Sequence, residues 1–281
     1  MSFVADLHIH SKYSRAVSSK MVPEELDRWA DDKGILVMGT GDFTHPAWFK
    51  ELKEKLEPAE LGLFKLKKKY KLPTIKGTFA DTRFMLTVEI SCIYSRGGKT
   101  RRVHNIVMVP NFETAEKINK QLSFVGKLAS DGRPILGLDS EELANIVFTV
   151  NPKAVIVPAH CWTPWFSVFG SMSGFDSLEE CFGKYTDKIF AVETGLSSDP
   201  PMNWRVPMLD KIALISNSDS HSLQRIGREA NVFETDLSYA GIMDAIKDSR
   251  TNADDTQNDA EKIPRKSAFS PRDSAGRLLA T

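Results

Sequence analysis

Cysteine is scarce in this chain. There are three in 281 residues, Cys92, Cys161 and Cys181, and none forms a CxxC pair. An odd count without paired spacing argues against a disulfide framework and fits reduced thiols in a cytoplasmic protein. No apolar run approaches the length of a membrane span. The chain reaches a strand bearing Asp6 and His8 almost at once, which leaves no room for a signal peptide, so cytoplasmic localisation without membrane contact is expected. Net charge is absent too, with Lys+Arg 37 against Asp+Glu 37. No global basic field therefore argues for nucleic acid, and any attraction for phosphate must be local. GxGxxG, Walker A and internal repeats are all missing.

What is present is an ordinary globular balance, 41% hydrophobic and 26% charged, long enough for one large domain. Short apolar or β-branched runs predict strands at Phe3–His8, Ile35–Thr40, Phe84–Ile90, Val103–Val109, Ala154–His160, Ile189–Thr194 and Ile212–Ser216. Helical patterns fall between them, at Pro23–Lys33, Glu113–Leu128, Ser140–Val150 and Ser177–Tyr185. Pro23 before Glu24 and Glu25, and Asp139 before Ser140, are helix-start signals. The alternation predicts an α/β fold of βα units around parallel strands. Seven such strands suggest a relative of the eight-stranded (β/α) barrel, with an open doubly wound sheet as the alternative. The Lys-rich stretch Leu61–Thr78 reads as an insertion or an exposed helix and loop. Residues 1–250 are expected to form this domain, and 251–281 a polar, disordered tail.

Six histidines carry the chemistry: His8, His10, His45, His104, His160 and His221. Each falls at or near the end of an expected strand, and in a (β/α) barrel the C-terminal strand ends converge on one face. His104 fits least well, because it opens its strand rather than closing it. His8-Ile9-His10 is an i, i+2 pair on extended chain, so both imidazoles project from one side, and Asp219-Ser220-His221 repeats the spacing. Asp42 follows the second strand, Glu89 closes the third and Glu193 ends the sixth. Mixed imidazole and carboxylate donors suit zinc, manganese or iron better than magnesium or calcium. The metal-ligand candidates are His8, His10, Asp42, His45, Glu89, His104, His160, Asp219 and His221, too many for one ion, so two or three are expected. Glu89 is a candidate bridge between two of them.

This ordered series resembles the PHP (polymerase and histidinol phosphatase) family: HxH in the first strand, an Asp/His motif after the second, a Glu, two separated His and a final DxH. Here those are His8/His10, Asp42/His45, Glu89, His104, His160 and Asp219/His221. The resemblance implies a distorted (β/α)7 barrel of the PHP type, Zn2+ and/or Mn2+, and phosphoester hydrolysis. Two departures stand out. Phe43 and Thr44 separate Asp42 from His45, and Ser11–Ala16 lacks the His or Asp often found there. Within the family, Ala5–Ala16, Gly39–Trp48, Pro158–Ser171, Glu193–Arg205 and Gly227–Asn231 look like the endonuclease Q group. That group nicks DNA 5′ to deaminated bases or abasic sites. It continues into a cysteine-rich zinc-binding region, of which this chain shows no sign, so a barrel-only or truncated form is expected.

On this basis Glu193, Asp42 and His45 are the catalytic candidates, completing the shell or handling a proton. Trp162 and Trp165 offer flat faces for a base. Lys12, Arg15, Arg101, Arg102, Arg205, Arg225 and Arg228 are candidate phosphate contacts. The expected partner is DNA containing deaminated or abasic nucleotides. The alternatives are a small-molecule phosphatase of the histidinol-phosphate type and a truncated, non-catalytic DNA-binding barrel.

Overall fold

The computed structural model of the protein describes residues 1–251. The tail expected over 251–281 lies, from residue 252 onward, outside the described residues. Along the chain come β1 (Ser2–Asp6), α1 (Pro23–Asp32), β2 (Val37–Gly39), α2 (Pro46–Lys55), β3 (Leu56–Pro58) and β4 (Phe64–Leu66). Next are β5 (Arg83–Arg96), β6 (Lys99–Val109), α3 (Phe112–Ser123), β7 (Ile135–Leu136), α4 (Ser140–Val150) and β8 (Val155–Pro158). The last are α5 (Leu178–Phe182), β9 (Ala191–Glu193), α6 (Pro200–Asn203), β10 (Ala213–Ile215), β11 (Asn231–Glu234) and α7 (Tyr239–Thr251). All seven expected strands form, as β1, β2, β5, β6, β8, β9 and β10.

The fold is mixed α/β around one large sheet. Hydrogen bonding runs β11–β1–β2–β5–β6–β8, with β9 and β10 paired separately. β1, β2 and β5 are parallel, as are β9 and β10. β6 departs from the parallel expectation, running antiparallel to both β5 and β8. The reason is local. Gly97 and Gly98, at φ +62° and +71°, join β5 to β6 in two residues, a left-handed turn that glycine adopts without strain. This also resolves the placement of His104. Because β6 runs back from the turn, the first half of β6 lies beside the second half of β5, and His104 pairs with Ser91, two residues past Glu89.

Two further links join strand ends. The Cys161 N–H donates to the Glu193 carbonyl at 2.9 Å, and the His10 N–H donates to the Ser220 carbonyl at 3.0 Å. The first ties the end of β8 to β9, the second the end of β1 to the segment after β10. The same seven strands feed one apolar cluster: Ala5, Val37, Met85, Ile106, Val157, Ala191 and Ile215, closed by Ile242, Met243 and Ile246 of α7. A second cluster packs their other faces against α1, α3 and α4 through Leu26, Ile118 and Val147. The caps match the chemistry: Asp139 accepts the Glu142 N–H at 2.7 Å and Asn111 that of Thr114 at 2.8 Å. α3 stops at Ser123, short of the expected Leu128, and Gly126 follows, where a Cβ would overlap the Leu136 side chain. The Lys-rich stretch forms β4 and a single 3-10 turn rather than a long helix.

Away from the histidines, Asp27 of α1 is buried and neither carboxylate oxygen has a hydrogen-bond partner. Lys71 is its ion partner at 3.8 Å. Burial raises its pKa to about 6, with Lys71 pulling the other way. The folded chain thus binds this proton more tightly than the unfolded chain. The corresponding stability is present below the unfolded value of 3.8 and is lost as pH rises to about 6. Asp27→Asn, which mimics the protonated form, should stabilise the protein at pH 7 by about 3 kcal/mol and change little at acid pH. Thermal melts of both proteins at pH 7 and pH 4 check this; an equal shift at both would contradict it.

Candidate metal centre

Three donor groups assemble at one end of the sheet: His8, His10 and Glu89; His10, Asp219 and His221; Glu89, His104 and His160. Within each, one ligand atom per residue lies within 4.8 Å of the others. His10 belongs to two groups and so does Glu89, so the three are one cluster. The donors arrive from four places: the end of β1, the β5–β6 hairpin, the end of β8 and the segment after β10. His8 and His10 follow β1 and are pinned by the parallel bridge from Ile9 to Ser220, which brings Asp219 alongside. Glu89 and His104 sit on the β5–β6 hairpin, and His160 leaves β8. Asp42, His160 and Asp219 hold φ of +52°, +32° and +45°, unfavourable for residues with a Cβ. Strain of this kind concentrates where function needs a side chain aimed against backbone preference.

The distances are short. Glu89 Oε1 lies 2.8 Å from His104 Nδ1 and 3.0 Å from His160 Nε2. Its Oε2 lies 3.4 Å from His10 Nε2, and Asp219 Oδ1 lies 3.1 Å from the same nitrogen. His221 Nδ1 is 3.6 Å from Asp219 Oδ1. His8 Nε2 is buried without a hydrogen-bond partner, 3.8 Å from both Glu89 Oε1 and Asp219 Oδ1. An orphaned imidazole nitrogen aimed at two carboxylates is a donor that a cation would satisfy. The donor set therefore fits divalent metal.

Asp42 and Glu193 act one layer back. Glu193 accepts from His8 Nδ1 at 3.0 Å, and also from Asn217 Nδ2 and the His160 N–H, each at 2.9 Å. Asp42 Oδ1 lies 3.2 Å from His10 Nδ1, while its Oδ2 accepts from Ser11 N, Ser11 Oγ and Ser14 Oγ at 2.7, 2.6 and 2.8 Å. With Nδ1–H donating to a carboxylate, each Nε2 lone pair turns into the cluster. Asp42→Asn and Glu193→Gln should keep the fold but lower metal affinity or activity roughly 10–100-fold. Metal titration followed by circular dichroism checks both; unchanged affinity would remove this orienting role.

Electrostatics separate the imidazoles. Burial works against protonation of His8 and His10, yet their carboxylate neighbours raise both well above the ordinary value. Burial lowers His104 to about 4 despite Glu89. Glu89 and Asp219 are held low: burial opposes this, and their histidine partners overcome it. Incoming cations and protons thus compete for the same nitrogens.

His45 stands outside the three groups. It begins α2, its Nδ1 accepts the Trp48 N–H at 3.5 Å, and its ring stacks on Tyr13 at 4.3 Å. Among the candidate substrate residues, Trp165 is 44% exposed and carries the Arg102 guanidinium on its ring at 4.9 Å. The next residue, Phe166, packs its ring on His104 at 4.8 Å, so that pair borders the cluster. Trp162 is committed inward, with Nε1–H donating to Asn203 Oδ1 at 2.8 Å and its ring against Phe169. Arg101 lies on the Phe175 ring and donates to the Gly174 carbonyl. Lys12 pairs with Glu51 at 2.9 Å. Arg228 donates to the Ser218 carbonyl at 2.7 Å, steadying the segment that carries Asp219. Arg15, Arg205 and Arg225 are exposed. Sequence patterning missed Arg133, whose Nη1 donates to Glu89 Oε2 at 3.1 Å. It sits in a turn with no motif around it. It also missed Asn217, which accepts the Leu7 N–H at 2.8 Å while donating to Glu193.

No family model matches the chain. A crystal structure of the lesion-specific endonuclease Q of Pyrococcus furiosus superimposes with a TM-score of 0.75 at 33% identity, over 88% of this chain and 56% of that one. An endonuclease Q complex with a 27-mer duplex bearing an abasic lesion at the active site gives the same score and identity, covering 88% and 57%. With His8, His10, Glu89, His104, His160, Asp219 and His221 gathered in one cluster, this decides the assignment. The chain belongs to the PHP family. Another relative, the uncharacterized protein YqxK of Bacillus subtilis, is 29% identical over 241 residues, 81% of this chain and 57% of YqxK. This PHP chain thus spans a little over half the length of those relatives. Among its described residues, no helix is long and apolar enough to cross a membrane.

Proposed function

We propose that this PHP protein is a metal-dependent phosphodiesterase of the endonuclease Q type. It would nick DNA on the 5′ side of deaminated bases (uracil, hypoxanthine, xanthine) or abasic sites, in DNA repair in the cytoplasm. The observation that carries the proposal is the position of Glu89, one oxygen facing His104 and His160 and the other facing His10. Its likeness to endonuclease Q supplies the substrate class. The seven strands, joined at β8–β9 and β1–β10, would then form a distorted (β/α)7 barrel.

His8, His10, Glu89, His104, His160, Asp219 and His221 would hold two or three Zn2+ or Mn2+ ions. When bound, such ions supply Lewis-acid activation of a water and charge neutralisation at phosphorus. The chain's own residues do the remaining work. Asp42 and Glu193 fix the tautomers of His10 and His8. Trp165 and Arg102 form an exposed shelf for a nucleotide beside His104, which suits an extended strand better than a closed pocket.

The test is a duplex oligonucleotide with one uracil, hypoxanthine or abasic site, incubated with Mn2+ or Zn2+. A single nick 5′ to the lesion, with the unmodified duplex intact, is expected. Turnover of small phosphomonoesters without nicking would instead favour the histidinol-phosphatase type. Purified protein that retains no metal would favour a non-catalytic scaffold.

A further inference from the structure

Arg133 lies inside the donor cluster without the chemistry of a metal ligand. Its side chain is 27% exposed, and its one side-chain partner is Glu89 Oε2, 3.1 Å from Nη1. Among the described residues its other guanidinium N–H groups have no protein acceptor, and they are not sealed from water. A guanidinium fixed by one prong and open on the rest is poised for an anion.

The backbone around it is built to hold this position. Asp131 Oδ1 accepts the Arg133 N–H at 3.1 Å and the Arg15 N–H at 3.3 Å, while the Gly132 N–H donates to the Tyr13 carbonyl at 3.0 Å. The Ser91 N–H donates to the Pro134 carbonyl at 3.0 Å, and β7 then pairs with Ser91 and Cys92. The turn is thereby fastened to β5 beside Glu89. A Cβ on Gly132 would overlap Asp42 Oδ2 and Ser14 Oγ, so only glycine lets the turn approach this closely.

Charge shows what the guanidinium faces. The carboxylates of Asp42, Glu89, Glu193 and Asp219 face the donor cluster, and Asp131 adds a fifth beside Arg133. A guanidinium whose one side-chain carboxylate partner is shared with metal ligands keeps its remaining donors for an incoming anion. We infer that Arg133 binds the scissile phosphate, one edge of its guanidinium held by Glu89 and the other offered to a non-bridging oxygen. This rests on the phosphodiesterase reading above.

The test compares binding of two abasic duplexes by fluorescence anisotropy, one natural and one with a neutral methylphosphonate at the linkage 5′ to the lesion. Wild type should prefer the charged linkage by about tenfold, the scale of one charge-assisted hydrogen bond. Arg133→Ala should bind both alike, and Arg133→Lys should recover part of the preference. Bound metal per chain and the thermal melt should match wild type in both variants, while kcat falls roughly a hundredfold in Arg133→Ala. Loss of metal in that variant would overturn the inference, making Arg133 a support for Glu89. An unchanged preference in Arg133→Ala, while wild type nicks normally, would overturn it alone. A wild type that neither discriminates nor nicks would overturn both it and the nuclease reading.

Discussion

His10→Ala is expected to abolish nicking and to strip metal from two donor groups at once. His10 Nε2 lies 3.1 Å from Asp219 Oδ1 and 3.4 Å from Glu89 Oε2, so one side chain serves the group with His221 and the group with His8. The rate should fall well beyond the roughly 10–100-fold expected when only an orienting partner such as Asp42 is lost. Side-by-side kinetics and elemental analysis of His10→Ala and Asp42→Asn make the comparison. Equal losses in the two variants would mean that His10 is no more than a structural neighbour of the site.

Glu89→Gln should be as damaging, for a different reason. The carboxamide keeps the volume but replaces one charged acceptor with a donor, and both carboxylate oxygens are in use. His104 and His160 would face a group unable to share a cation with them, and the buried imidazoles of His8 and His10 would lose a carboxylate neighbour. Leaving buried charge without its counterpart typically costs about 3–5 kcal/mol, so the metal-free variant should melt earlier than wild type. Added metal should also raise its melting temperature far less, because ligand-linked stability scales with affinity. An undiminished metal-induced rise would show that Glu89 does not bridge the groups.

Much of this site was legible because imidazoles are rare here and their spacing is regular. His8-Ile9-His10 and Asp219-Ser220-His221 are local patterns, and a strand followed by a turn delivers them whatever the rest of the fold does. The seven strands were legible from short apolar runs, and α4 begins and ends where its Asp139 cap and apolar run predict. What was not legible depends on pairing across long sequence distances. The direction of β6 follows from the Gly97–Gly98 turn, and with it the position of His104. β7 is two residues long and carries no periodicity, so neither it nor Arg133 could be found from pattern. The inward role of Trp162 and the helix-capping role of His45 rest on partners, Asn203 and Trp48, that spacing alone does not reveal. Asp42 and Glu193 were visible as acids near histidines, but their orienting geometry needed the serines and Asn217 around them.

The most direct measurement is anomalous diffraction at the metal edge from crystals of the protein grown with Mn2+ or Zn2+. Peaks should lie between Glu89 and the His104/His160 pair, and between His10 and Asp219, with His8 Nε2 within bonding distance of one of them. Density elsewhere, or none beside Glu89 at saturating metal, would mean that these imidazoles and carboxylates meet for packing rather than to share ions.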